Sequence, residues 1–367
     1  MTDFDNLPRN KLSFIDKIST FLAILPAPAL IAWALIKSNF TEYGKARSAK
    51  RVIIDRVTLR LCSALNRRQI RAFFGPTTKV YEDYVKAKKL PSVVEDIGSD
   101  AKLLWLGPNE NLQRVILYIH GGAFVFGAVG SAPAFFAHIQ SELQKRGKAT
   151  SVAFLDYTLV PDKPFPTQVH QTVLAIQHLL NSGVKPQNIQ LVGDSAGGTI
   201  IHEVFSHLLH PLPSVPQLKL SAPLAGAYLM SPWTRINDTA DQVLKTDREG
   251  KGDFLTRKTG LYWASKIMEG VSQKDLPYAD PNTAPAGWLK GVDKYVKRIF
   301  ISAGGAEILR DEIIKYTELV KPHHRDLTVY IQDYGIHTDP FFDFLVEDKN
   351  LGKLTPKIVD FLDSGFA

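Results

Sequence analysis

After about residue 100, this 367-residue chain alternates between two hydrophobic periods. Short apolar runs at Lys102–Leu106, Arg114–Ile119, Ser151–Asp156, Asn188–Val192, Ala225–Met230, Lys297–Ser302 and Leu327–Ile331 predict seven strands. Between two of them, Val169, Val173, Ile176 and Leu180 recur at helical spacing and give a helix its buried face. Strands and helices in alternation predict an α/β fold with a mostly parallel sheet flanked by helices. After the fifth strand a longer insertion runs over about 231–296, and it contains Trp233, Phe254, Leu261, Tyr262 and Trp263. Such aromatics predict a lid with its own small core, from which a few rings face a ligand.

The first hundred residues follow a different pattern. Ile18 to Ile36 contains no charge, and as one helix its nineteen residues would extend about 28 Å, near the thickness of a hydrocarbon core. Pro26 and Pro28 predict a kink or a re-entrant segment instead of a straight span. The expected organisation is a membrane-associated segment over 1–40, with a buried cap helix or a cleaved signal peptide as its alternatives, a basic helical cap over 41–100 and the main α/β domain over 101–367.

Candidate chemistry sits at the ends of the predicted strands. The run Asn188–Val192 leads into Gly193-Asp194-Ser195-Ala196-Gly197-Gly198 and then into a helix-like segment. A serine between small residues in a sharp strand-to-helix turn has its Oγ projected out of the sheet, with room for a carbonyl to approach. The helix that begins at Ala196 adds a backbone N–H and a positive dipole end where an oxyanion would develop. Upstream, the strand ending at Ile119 runs into His120-Gly121-Gly122-Ala123-Phe124, a turn suited to further backbone donors. The expected oxyanion donors are Gly121, Gly122 and Ala196, with His120 holding the loop. Downstream, His337 follows the last strand, and Glu307 and Asp311 follow the one before it. A serine, then a carboxylate, then a histidine at three successive strand ends is the order that activates a serine nucleophile. Glu307 lies in the loop itself, whereas Asp311 falls where a helix begins and favours its N-terminus.

These segments resemble the hormone-sensitive-lipase-like branch of the α/β-hydrolases, particularly its fungal esterases and deacetylases. His120-Gly121-Gly122 resembles that branch's HGGG, with Ala123 in place of the last glycine. Gly193 to Gly198 matches GDSAGG, and Asp156 to Pro166 is close to DYRLAPEHPFP. Glu307 to Glu312 resembles DPLRDE, with Glu307 in place of the usual aspartate and Ile308 in place of proline. The likeness covers roughly residues 100–345. It implies a serine carboxylic-ester hydrolase with Ser195 as nucleophile, His337 as base, Glu307 as orienting acid, and Phe124, Tyr157 and Trp233 beside the substrate. It implies short-chain, acetyl-type esters of a lipophilic alcohol such as a sterol or a fungal metabolite, and it implies no cofactor. Two alternatives keep the same scaffold. An acyl-releasing thioesterase or acyltransferase would use the same triad, and a non-catalytic receptor of the plant gibberellin type would lack the histidine that this chain keeps.

Composition narrows this reading further. Hydrophobic content of 45% and charged content of 22% belong to a globular chain, and the single cysteine, Cys62, excludes an internal disulfide framework. Net charge is +7, yet residues 1–90 hold 17 Lys and Arg against 7 Asp and Glu, so the excess is N-terminal. No nucleic-acid reader motif accompanies it, and a nucleic-acid partner is not expected. Beside the apolar segment, the basic stretch favours a membrane surface. More cations follow that segment than precede it, which favours a cytosolic main domain, whereas some related fungal deacetylases work inside the endoplasmic reticulum. Sequons at Asn39 and Asn237 do not choose between the two sides. His202 and His207 mimic a zincin pair but are five residues apart and point about 140° from each other, so no shared metal is expected.

Overall fold

The computed structural model describes residues 12–107, 109, 112–237 and 252–366. Its centre is an eight-stranded sheet: β1 (Val93–Gly98), β2 (Ala101–Leu106), β3 (Val115–Ile119), β4 (Ser151–Asp156), β5 (Ile189–Asp194), β6 (Gly226–Met230), β7 (Ile299–Gly304) and β8 (Leu327–Gln332). The spatial order is β1-β2-β4-β3-β5-β6-β7-β8. The β1–β2 and β2–β4 pairs are antiparallel and every later pair is parallel. All seven expected strands are present, most of them displaced by one or two residues at an end. β3 and β5 are buried along their whole length, which is why they read as unbroken apolar runs.

One strand went unpredicted. β1 falls inside the stretch expected as a helical cap over 41–100, which corrects that boundary to about residue 90. Its six residues alternate half-buried and exposed, as an edge strand packed on one face does, and its sequence carries Glu95 and Asp96. Glu95 meets His178 Nε2 at 2.8 Å and the Trp105 indole at 3.1 Å. The helix Thr167–Asn181 buries Val169, Val173 and Ile176 as expected, with Leu180 partly covered.

Among the described residues, five of the six helices before β1 stand ahead of residue 75. The apolar segment forms two of them, Phe14–Ile24 and Ala27–Ser38, with the break at Pro26. The short helix Glu42–Lys45 and the helices Ala49–Ala64 and Arg67–Phe74 follow. The basic character of this region proves to be partly internal. Arg51 is buried in the helix Ala49–Ala64 and meets Asp55 at 2.8 Å, Asp339 at 2.6 Å and also Asp343. Arg47 binds the other side of Asp339 and the carbonyl of Tyr334. Asp339 and Asp343 belong to the helix Asp339–Leu345, which starts two residues after His337. Asp339 also accepts the N–H of Ile336 at 3.0 Å and the amide of Gln332 at 2.6 Å. These ion pairs therefore pin the N-terminal helices to the loop that carries the candidate base.

The expected insertion over 231–296 includes residues 238–251, which lie outside the described residues. Its described parts include the helices Arg257–Ile267 and Leu276–Ala279.

Arg51→Met should destabilise the fold by about 3–5 kcal/mol, because it leaves the buried Asp55 and Asp343 without their cation. Urea unfolding measures this. A loss below about 1 kcal/mol, the scale of an exposed pair, would mean that the cluster does not hold the two regions together.

Candidate active site

Ser195 occupies the turn between β5 and the helix Ala196–Leu209 at φ +50° and ψ −118°, a backbone region that an L-residue enters only under constraint. The constraint comes from both sides. The Ser195 N–H donates to Met230 O at 2.9 Å, and its carbonyl accepts from Trp233 N at 3.0 Å. The helix can approach only because residue 197 is glycine, since any Cβ there would collide with the carbonyl of Ile119 at the end of β3.

His337 and Glu307 meet on the neighbouring strand ends. The loops after β7 and β8 press together at Gly304 and Gly335, and a side chain at 304 would overlap the Gly335 backbone. Two backbone bonds lock the contact, Gly305 N to Gln332 O at 2.7 Å and Ala306 N to Gly335 O at 2.8 Å. Glu307 Oε1 then lies 2.6 Å from His337 Nδ1, and Glu307 is fully buried. Its other oxygen accepts from Gly304 N and from Ser231 Oγ, both at 2.8 Å. Ser231 Oγ also accepts the Thr338 N–H at 3.1 Å, so one hydroxyl bridges acid and base loops. Asp311 does not compete. It lies in the first turn of the helix Arg310–Val320 and is half-exposed against Arg310 at 2.8 Å. Burial disfavours the His337 imidazolium, but Glu307, with Asp253 and Asp194 behind it, makes the net shift upward from the ordinary histidine range.

A cavity of about 160 Å³ opens on this assembly, and Ser195, His337, Gly122, Ala123, Trp233 and Phe254 are in its wall. The glycine turn corrects one expectation. Gly121 does not offer its N–H to the cavity, because that group donates to Asp194 Oδ1 at 2.9 Å. Tyr118 supplies a second donor to the same oxygen at 2.6 Å. Gly122 and Ala123, both in the left-handed region, face the cavity instead, and their N–H groups have no acceptor among the described residues. The buried Asp194 carboxylate therefore takes the Gly121 N–H out of the cavity and leaves those of Gly122 and Ala123 beside it. Ala196 begins its helix as expected.

Two of the three expected substrate contacts also move behind the wall. Tyr157 stacks on His120 with ring centroids 4.2 Å apart and donates its hydroxyl to His120 O and Gly121 O at 2.8 and 3.1 Å. Phe124 is buried, and its carbonyl accepts from Val160 N at 2.8 Å. Both support the glycine turn, and only Trp233 reaches the cavity. His120 holds the loop, with Nε2 2.9 Å from Thr77 Oγ1, and burial pushes its pKa down to about 4. His202 and His207 turn to separate carbonyls, Pro277 O and Pro216 O.

Sequence reasoning missed Asp253. This buried carboxylate accepts from Ile308 N at 2.8 Å and from His337 N at 3.3 Å, so the insertion clamps the acid loop to the base loop. It stands four residues before the helix Arg257–Ile267, and no local sequence pattern distinguishes it.

The alpha/beta hydrolase fold family matches residues 116–338, more than half of the chain, and the chain belongs to that family. An acetyl-hydrolase of Streptomyces hygroscopicus is 27% identical over 57% of this chain and 62% of its own. A putative steryl acetyl hydrolase of Schizosaccharomyces pombe is 24% identical over 90% of both chains. This chain spans about three fifths of the length of the first curated relatives it matches. Among solved structures, an esterase of the bacterial hormone-sensitive lipase family superposes with a TM-score of 0.64 at 24% identity, covering 88% of this chain and 99% of that one. That likeness concerns the fold.

Asp253 gives a testable pH dependence. Burial raises its pKa to about 6, above the ordinary aspartate range, so the folded state holds this proton more tightly than the unfolded chain does. The carboxyl's stabilising contribution is complete at about pH 3.8 and is lost as pH rises through about 6. The Tm of wild type minus that of Asp253→Asn should therefore fall between about pH 4 and 7. A difference independent of pH would exclude the raised carboxyl.

Proposed function

We propose that this protein is a serine carboxylic-ester hydrolase that works through an acyl-enzyme on Ser195. The observation that carries the reading is the constrained Ser195 turn on the same cavity wall as a buried histidine whose far nitrogen is 2.6 Å from a carboxylate. Ser195 Oγ attacks the acyl carbon while His337 Nε2 takes its proton. The carbonyl oxygen becomes an oxyanion held by the N–H groups of Gly122, Ala123 and Ala196. His337 returns the proton to the departing alcohol. A water molecule then adds to the acyl carbon, giving its proton to His337, and the free acid leaves with Ser195 restored. Glu307 keeps the proton on Nδ1 and stabilises the imidazolium between steps.

The cavity at Ser195 and His337 is where the ester group is received. Trp233, Phe254, Leu261 and Trp263 give it an apolar lining suited to a lipophilic alcohol. The acetyl-hydrolase and steryl acetyl hydrolase among the relatives support an acetyl ester of a sterol-like alcohol. The exposed apolar helices before residue 40 support membrane association, and the resemblance to fungal deacetylases supports the endoplasmic reticulum.

Ser195→Ala should abolish turnover of p-nitrophenyl acetate and labelling by a fluorophosphonate; labelling that survives identifies another nucleophile. Glu307→Gln should lower kcat by about two orders of magnitude or more, since a neutral amide no longer stabilises the imidazolium. Activity is lost on the acid side as His337 takes a proton. Without the carboxylate burial dominates, so the acidic limb of the profile should move to lower pH. Asp311→Asn should stay within about tenfold of wild type. A larger kcat loss for Asp311→Asn in folded protein would reverse the two roles.

A further inference from the structure

The helix Phe14–Ile24 has its amphipathic faces reversed. At about 100° per residue, Phe14, Ile15, Ile18, Phe21, Leu22 and Leu25 fall within an arc of about 120°. That arc faces away from the protein, and its side chains are between 45 and 76% exposed. The opposite face is polar and is bound to the body. Asp16 accepts from Asn66 at 3.0 Å and meets Arg68 at 3.4 Å. The Gln69 amide donates to Asp16 O, Ser19 Oγ and Thr20 Oγ1 at 2.6–2.9 Å. Arg60 Nε donates to Ala23 O at 2.7 Å. In a water-facing helix the apolar stripe turns inward. Here four residues of the body hold the polar stripe inward and present the apolar one. The surface continues into the helix Ala27–Ser38, where Trp33 is 62% exposed.

We propose that this face lies in the plane of a lipid surface and that the segment does not cross it. The inference rests on the membrane association proposed above and fixes its geometry. A lipid surface matches the face because no charge interrupts Ile18–Ile36, while the exposed Lys17 and Lys37 flank it at headgroup level. Crossing would require pulling Asp16, Ser19 and Thr20 away from Asn66, Arg68 and Gln69. The 25 residues Phe14–Ser38 are long enough to span a hydrocarbon core, so it is this polar anchorage, and not length, that keeps the segment in the plane. Its inner neighbours are the helices Ala49–Ala64 and Arg67–Phe74, whose Thr58, Cys62 and Ile70 are in the wall of the Ser195 cavity. The lipid plane therefore lies one helix layer from the active site.

Depth measurement on the full chain tests this. A bimane probe is placed by Phe14→Cys, Phe21→Cys, Leu25→Cys or Ile36→Cys. The probe is read against unsubstituted protein carried through the same labelling, which corrects for any label on Cys62 in the cavity wall. Quenching by lipids brominated at graded depths is read in phosphatidylcholine vesicles with and without phosphatidylserine. One shallow depth for positions 14, 21 and 25 is expected, with stronger binding to the anionic vesicles. The triple variant Phe14→Ser, Phe21→Ser, Leu25→Ser should bind tenfold or more weakly and keep its p-nitrophenyl acetate turnover. Depth that increases along the segment to the bilayer midplane would overturn the in-plane geometry while leaving membrane association intact. Absence of vesicle binding would overturn both, and self-association abolished by the triple variant would assign the face to a second copy.

Discussion

The structure depends on the contact between the loops after β7 and β8. Glu307 reaches His337 only because Gly304 and Gly335 let two backbones touch, and backbone bonds on either side hold them there. A charge-assisted bond between buried groups is strong when made and costly when broken. Several other features of the molecule serve to hold it. Ser231 and Asp253 each bridge the two loops, and both precede or belong to the insertion after β6. Asp339 restrains the far end of the His337 loop through Ile336 N.

That last restraint gives the basic N-terminal region a purpose that net charge conceals. Arg47 and Arg51 are counterions for Asp339 and Asp343, and part of the positive excess is spent inside the protein. The helices that carry the outward apolar face, Phe14–Ile24 and Ala27–Ser38, pack on the helix Ala49–Ala64 that holds Arg51. The helix Ala49–Ala64 thus contacts both the Phe14–Ile24 helix and the helix that follows the His337 loop.

The main domain was legible because each of its signals repeats a physical rule. Fully buried parallel strands read as apolar runs, and Ser195, Glu307 and His337 stand at strand ends in chain order. The bond from Gly121 N to Asp194 was not legible, because it depends on where that carboxylate settles in three dimensions. Tyr157 and Phe124 are apolar residues beside the motif, and sequence cannot tell a wall from the layer behind it. β1 was missed because an edge strand with one packed face has no apolar run. Asp253 left no trace, since its partners are backbone N–H groups more than fifty residues away. The apolar N-terminal segment was visible by composition, but which of its faces the body would hold depended on Asn66, Arg68 and Gln69.

The central claim is that Ser195, activated by the His337–Glu307 pair, carries the acyl group. The most direct measurement is rapid quenching of the full-length protein with p-nitrophenyl acetate, followed by peptide mass spectrometry. The account predicts a burst of one p-nitrophenol per chain and a single acetyl group on Ser195, with both lost in Ser195→Ala. Turnover of the same ester at an undiminished rate with the acetyl group on another residue, or with none, would contradict it.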